Sequence, residues 1–170
     1  MLYNDYDITL IGSHIRITPM TPDDAEPYAR LIFGGSYDFY ITKFGKPPET
    51  DLLRVLEHKA NQELHAIRPI DSDRFLGWIC LQHDEDRPDI GIHLIPEAQN
   101  KGYGPEAIML YAAYVHSFYS LSRLYIHTTE KNKHCQRMID KIGGVFDRTG
   151  NLLDCINLRS TLTFCRKHRA

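Results

Sequence analysis

The chain has 170 residues, a length that fits one domain spanning residues 1–170 with a single hydrophobic core. Its apolar fraction of 42% and charged fraction of 25% are ordinary for a globular protein. The formal net charge is -2, so the chain has no excess of positive charge that would attract nucleic acid or an anionic membrane surface. Neither is expected as a partner.

The sequence carries no targeting signal that we recognise. Met1 to Asp7 have neither the basic start nor the apolar run of a signal peptide, and no stretch reaches the roughly 18 apolar residues of a membrane span. The four cysteines show no C-x-x-C spacing, which favours reduced thiols. We therefore expect a cytoplasmic protein.

The first part of the chain is predicted to form a β-hairpin followed by two helices. Gly12 and Ser13 are turn residues between two β-rich runs, Thr21 is a helix N-cap, and Gly34-Gly35 ends the first helix. The aromatic segment 36–48 is expected to be a loop. The predicted elements are strands over 8–11 and 15–17 and helices over 21–33 and 49–60.

The rest of the chain, from residue 63 onward, is predicted to contain strands and helices in irregular alternation. The predicted elements are strands over 63–70, 75–82 and 90–95, a helix over 105–119, a strand over 124–128, a helix over 133–141, a strand opening at 145–146 and a last strand over 158–164. Because this order lacks the steady βαβ alternation of a doubly wound fold, we expect a mixed α+β domain with helices covering a twisted sheet.

The most informative segment joins the strand ending near Ile95 to the helix predicted from Pro105. Gly102 and Gly104 lie between them, one residue apart. Backbone N–H groups at a helix start have no intrahelical partner and carry the positive end of the helix dipole, and glycine lets a ligand approach them. This pattern favours a phosphate group. It lacks the third glycine of a dinucleotide loop and the Gly-Lys-Ser/Thr of a nucleoside triphosphate loop.

Gln99-Asn100-Lys101-Gly102-Tyr103-Gly104 resembles the Gln/Arg-x-x-Gly-x-Gly/Ala signature of GNAT acetyltransferases. The flanking residues 90–97 and the segment 130–144 are similar to the branch that includes ribosomal-protein alanine N-acetyltransferases, and the likeness extends over 15–164. Two residues depart from that branch: Gly144 stands where Phe is usual, and Cys135 where Ser is frequent. The resemblance implies a mostly antiparallel sheet with a splayed central strand pair and about four flanking helices.

The resemblance also implies acetyl-CoA as co-substrate and no metal. The backbone of Ile92, His93 and Leu94 would bind the pantetheine and acetyl group, with the Leu94 amide polarising the thioester carbonyl. Asn132 would either bond the pantetheine arm or cap the following helix, or do both. The residues assigned to the pyrophosphate loop are Gln99, Asn100, Lys101, Gly102, Tyr103, Gly104 and Pro105.

The implied reaction is direct attack of a neutral amine on the thioester, which needs a base and an acid. The family's tyrosine acid falls at Ile139 here, so Cys135 is the candidate acid, with a packing role as the alternative. Pro88 stands near the usual glutamate base. This leaves Asp89 and His93 on the same strand, and His83 and His127 on flanking strands, as candidate bases, and each histidine has a structural or solvated role as its alternative. A metal trio of His93 with His83 and His127 is not favoured, because no short ligand spacing supports it.

The acceptor is left open between a protein or peptide N-terminus and a small-molecule amine. The aromatic segment from Ser36 to Phe44 would form the acceptor wall or simply close the core. A catalytically silent CoA-binding sensor or scaffold is the alternative from another class, and a nucleotide-binding module is a third. A homodimer is compatible with the sequence.

Overall fold

The computed structural model describes residues 8–57, 63–82, 88–119, 124–128, 132–147 and 154–157. The helices in these ranges are α1 (Ala25–Phe33), α2 (Gly35–Phe44), α3 (Glu49–Glu57), α4 (Tyr103–Tyr119) and α5 (Lys133–Lys141). The strands are β1 (Leu10–Ile11), β2 (Ile15–Pro19), β3 (Glu63–Pro69), β4 (Gly77–Gln82), β5 (Asp89–Leu94), β6 (His127–Thr128), β7 (Val145–Asp147) and β8 (Asp154–Asn157). None of the described helices is long and apolar enough to span a membrane.

The main sheet is an antiparallel meander in the order β1-β2-β3-β4-β5. Its register places Ile17 opposite Ile67 and Trp78 opposite His93. Because successive side chains of a strand point to opposite faces, these two pairs lie on different faces of the sheet. The predicted α+β architecture is confirmed.

Helices cover both faces of this sheet and bury two apolar clusters. On one face α4 contributes Ile108 and Tyr111, which pack over Ile17 and Ile67. On the other face Tyr28 of α1 packs with apolar residues of α3 and β4 in a second cluster. Most of the sheet is therefore buried on both sides.

A buried ion pair fastens the start of α1 to the sheet. The Arg68 guanidinium on β3 donates to both carboxylate oxygens of Asp24, at 2.6 and 3.0 Å, and its Nε donates to the hydroxyl of Thr18. The Asp24 carboxylate also accepts the backbone N–H of Thr21. A bidentate pair of this kind sets the position of both partners, because breaking it would leave a buried charge unpaired.

A second sheet has the strand order β6-β8-β7, and the residues just before β6 form a bridge to β5. Tyr125 donates its N–H to the carbonyl of Pro88 at 3.0 Å, and Ile90 donates its N–H to the carbonyl of Tyr125 at 2.8 Å. This short parallel bridge pairs Asp89 with Tyr125. Past Ile90, no described strand pairs with the outer edge of β5. The predicted splay between the two central strands is therefore confirmed.

One sequence prediction needs correction. Residues 35–44 form helix α2 rather than a loop, which raises the number of described helices to five. No proline or glycine interrupts this segment after Gly35, while Gly34 (φ 51°) and Gly45 (φ 83°) redirect the chain at both ends. Strand β8 was not predicted, and the predicted strand over 158–164 lies outside the described residues.

Candidate active site

A groove follows the open edge of β5 and is closed on its far side by α5. It consists of two adjoining cavities that share the lining residues Leu94, His134 and Met138. The first, which we call the strand cavity, has a volume of about 220 Å³ and is lined by Ile92, His93, Leu94, Gln99, Asn132, His134, Cys135 and Met138. The second, the loop cavity, has a volume of about 110 Å³ and is lined by Leu94, Asn100, Gly102, Gly104, Pro105, His134, Arg137, Met138 and Lys141.

The strand cavity exposes the backbone edge of β5. Since Ile90 directs its N–H outward to Tyr125, the alternation of an antiparallel strand directs the N–H groups of Ile92 and Leu94 to the same edge. The carbonyl of Leu94 on this edge accepts the side-chain amide of Gln99 at 3.0 Å. Gln99 thereby holds the end of β5. The N–H groups of Ile92 and Leu94 face the groove, where an extended ligand can pair with them as an added strand.

The two motif glycines have different structural roles. Gly102 has φ 83°, and a Cβ there would meet nothing within 4 Å, so the left-handed backbone conformation is what requires glycine. At Gly104 a Cβ would lie 2.8 Å from the Met138 sulfur, so glycine there lets α4 pack closely on α5. Pro105 has no N–H, and the N–H of Glu106 donates to the Gly102 carbonyl. The donors at the mouth of α4 are thus those of residues 102–104.

His93 projects from β5 toward the face covered by α1. Its imidazole lies edge-on to the indole of Trp78, with ring centroids 6.3 Å apart, and Trp78 meets Tyr28 in the same way at 6.1 Å. Gly91 makes room for the indole, since a Cβ there would lie 3.1 Å from the Trp78 ring. Partial burial lowers the pKa of His93 below its usual 6.5. The imidazole is therefore mainly neutral at pH 7 and able to accept a proton.

Cys135 lies in the first turn of α5, on the opposite side of the strand cavity from β5. Asn132 is the N-cap of this helix, and its side-chain oxygen accepts the Cys135 N–H at 3.0 Å. The N-cap interpretation of Asn132 is confirmed. Because Asn132 also lines the strand cavity, its amide group can contact a ligand at the same time.

The comparisons with known proteins agree with this geometry. A family model described as an acetyltransferase (GNAT) domain matches residues 14–145. The chain belongs to the GNAT acetyltransferase family. Comparison with curated protein sequences gave no match.

Solved GNAT structures share the fold at low sequence identity. An acetyltransferase from Agrobacterium tumefaciens str. C58 aligns with TM-score 0.71 and 16% identity, covering 88% of this chain and 93% of the other. Spermidine N-acetyltransferase from Vibrio cholerae, in complex with CoA and spermine, aligns with TM-score 0.63 and 14% identity, covering 84% of this chain and 92% of the other. Ribosomal-protein-S5-alanine acetyltransferase from Vibrio fischeri aligns with TM-score 0.60 and 15% identity, covering 89% of this chain and 94% of the other. Each covers most of both chains.

Within this GNAT fold, three residues predicted for the site line neither cavity. Lys101 is exposed beside the loop, and Tyr103 packs against the larger apolar cluster. Asp89 is 8% exposed at the start of β5. His93 lies four positions farther along the strand, a distance of about 13 Å. His93 is therefore better placed than Asp89 to act in the groove.

Four residues of the GNAT groove were not anticipated from the sequence: His134, Arg137, Met138 and Lys141, all on α5. Their spacing of three and four residues places them on one helical face, and this pattern can be recognised in the sequence. The sequence did not show that this face is turned toward the glycine loop. Among the described residues, no group of three or more His, Cys, Asp or Glu side chains could hold a metal ion. His83 lies outside these residues.

Proposed function

We propose that this GNAT acetyltransferase moves an acetyl group from acetyl-CoA to a primary amine. The observation that carries the proposal is that the cavity along the outward-facing backbone edge of β5 adjoins the cavity at the glycine loop, at the mouth of α4. One end of this groove suits an extended amide-containing chain, and the other suits a phosphate. Coenzyme A joins these two chemistries in one molecule.

The groove suggests how acetyl-CoA would lie. The N–H groups of Ile92 and Leu94 would pair with the pantetheine amides and the thioester, and the side chain of Asn132 would contact the arm from the α5 side. The N–H groups of residues 102–104 would bind the pyrophosphate, where the positive end of the 17-residue helix α4 adds to them. Lys101 would contribute charge from outside the cavity.

The proposed reaction is direct transfer. Neutral His93 would take a proton from the acceptor ammonium, directly or through one water, and the resulting amine would attack the thioester carbon. The Leu94 N–H would stabilise the negative charge that develops on the carbonyl oxygen. As the carbon–sulfur bond breaks, the Cys135 thiol would donate a proton to the departing thiolate. The second proton lost by the attacking nitrogen would pass through water to the Cys135 thiolate and restore the thiol. The products are an acetylated amine and CoA.

The acceptor would enter from the α1 face, where His93, Trp78 and Tyr28 are aligned. Helix α2 borders this face with exposed aromatic side chains: Phe39 and Phe44 are each 65% exposed. We assign α2 to the acceptor wall, because exposed aromatic rings at a cleft suit contact with a peptide or an amine. Structures of this fold include both a ribosomal-protein and a spermidine acetyltransferase. A protein N-terminus and a small amine are thus both candidate acceptors.

Calorimetry with acetyl-CoA, followed by thiol-release assays over a panel of amines and N-terminal peptides, tests the proposal. Gly104→Glu should abolish acetyl-CoA binding, because a carboxylate would enter the loop cavity and repel the pyrophosphate. Ser117→Glu places the same charge at an exposed position near the other end of α4 and should bind normally. Binding without turnover would leave a CoA-binding scaffold, and no binding by the wild-type chain would refute the cofactor assignment.

A further inference from the structure

Helix α5 presents a row of basic side chains to the groove. His134, Arg137 and Lys141 all line the loop cavity, at positions three and four residues apart, so they occupy one face of the helix. This face is opposite the glycine loop. We call these three residues the α5 basic row.

The row runs along the groove in a defined direction. His134 lines both cavities, whereas Arg137 and Lys141 line only the loop cavity. Lys141 lies seven positions after His134, which corresponds to about 10 Å along the helix axis. The row therefore begins beside the strand cavity and continues along the wall of the loop cavity that faces the glycines.

The charges of Arg137 and Lys141 have no carboxylate partner among the described residues. By contrast, Arg16, Arg30 and Arg68 are each paired with an acidic side chain. Two unpaired cations on one wall of a phosphate-sized cavity favour an anion as their partner.

The backbone donors of the loop account for only part of the charge on coenzyme A. The pyrophosphate can be bound by N–H groups at the mouth of α4, but the ribose 3′-phosphate is a separate monoester with close to two negative charges at pH 7. A planar guanidinium and an ammonium are suited to such a group. We propose that Arg137 and Lys141 bind the 3′-phosphate and make this enzyme selective for CoA esters over dephospho-CoA esters. This inference rests on the proposed function.

Calorimetry with CoA and with dephospho-CoA tests the inference, using the wild-type chain, Arg137→Gln and Lys141→Gln. The wild-type chain should bind CoA about 10 to 100 times more tightly than dephospho-CoA, the range expected for charge-assisted hydrogen bonds. Each variant should lose most of this preference while its affinity for dephospho-CoA stays within about twofold. The preference should also decrease as salt is raised.

Lys133→Gln is the matched control, since Lys133 is an exposed cation on the same helix that lines neither cavity. It should keep the wild-type preference. Equal wild-type affinities for CoA and dephospho-CoA would overturn the inference and leave the proposed function standing. Variants that weaken both ligands equally would also overturn it, by assigning the cations to the pyrophosphate. If the wild-type chain binds neither ligand, the proposed function fails as well.

Discussion

Glu106 fastens the β1–β2 hairpin to the first turn of the helix that borders the loop cavity. One carboxylate oxygen accepts the backbone N–H groups of Ser13 at 2.6 Å, His14 at 2.8 Å and Ile15 at 3.4 Å. The other oxygen lies 3.0 Å from the His14 imidazole Nδ1. Gly12 is required beside this contact, because a Cβ there would overlap the carboxylate. A single side chain thus serves as the cap of the hairpin turn.

We expect Glu106→Gln to destabilise the fold by about 1–2 kcal/mol. A glutamine oxygen can still accept the N–H groups, so the loss is that of charge assistance and of the favourable negative charge at the start of α4. For a chain of this size, that corresponds to a fall of roughly 2–8 °C in Tm. Calorimetric and spectroscopic melting at pH 7 measures it. Glu97→Gln, an exposed position in the preceding turn, is the control and should leave Tm unchanged.

The pH dependence of this difference is a sharper test. Burial alone would raise the pKa of Glu106, but the bonds from His14, Ser13 and Ile15 outweigh it, and the pKa is lowered in the folded state. A carboxyl group with a lowered folded pKa contributes stability above its unfolded pKa of about 4.3, and loses it as the pH falls through the folded pKa. The Tm gap between wild type and Glu106→Gln should therefore shrink below about pH 4.3. A gap that is absent at pH 7, or that persists at low pH, would refute the reasoning.

Three further predictions concern the groove. His93→Gln should lower kcat by about 10²–10⁴ and remove the acid limb of the pH profile of kcat/KM. In the wild type that acid limb should lie below pH 6.5, because burial lowers the pKa of His93 and only the neutral ring accepts a proton. If the variant keeps the same acid limb, His93 is not the base. Cys135→Ala should lower kcat about tenfold or more with KM nearly unchanged, and wild-type kinetics would return Cys135 to a packing role. Gly77→Ala should lower the free energy of unfolding in chemical denaturation by about 1–3 kcal/mol and weaken acetyl-CoA binding. The reason is that the added Cβ would overlap the His93 carbonyl and lie 2.8 Å from Leu94 Cα. Unchanged affinity would show that the position of this end of β5 does not control binding.

The glycine loop shows why part of the site was predictable from the sequence. The need for glycine at residue 102 is a local matter of backbone conformation, and the orphan N–H groups of residues 102–104 belong to any helix start. Likewise, the N-cap role of Asn132 involves only the next three residues. Such features depend on neighbours in sequence, so the order of residues is sufficient to indicate them.

Helix α2 shows where prediction from neighbouring residues fails. An aromatic segment between glycine and proline pairs was expected to be a loop, yet residues 35–44 are helical. Their local pattern is weak, since the helix leaves Phe39 and Phe44 exposed rather than forming a continuous apolar stripe. The short strand β8 was missed for a related reason, because its pairing with β6 and β7 depends on segments elsewhere in the chain.

The amino-acid sequence alone thus indicated the succession of elements apart from α2 and β8, the helix start at the glycine loop and the likeness to acetyltransferases. Only the tertiary structure decided that Tyr125 bridges the outer edge of β5 at Asp89 and Ile90, that α5 turns its basic row toward the loop, and that Glu106 reaches the hairpin some ninety residues earlier. The physical reason is that a helix start or a left-handed glycine is specified by adjacent residues. An open strand edge or a basic wall is specified by contacts between residues far apart in the chain, which no local pattern encodes.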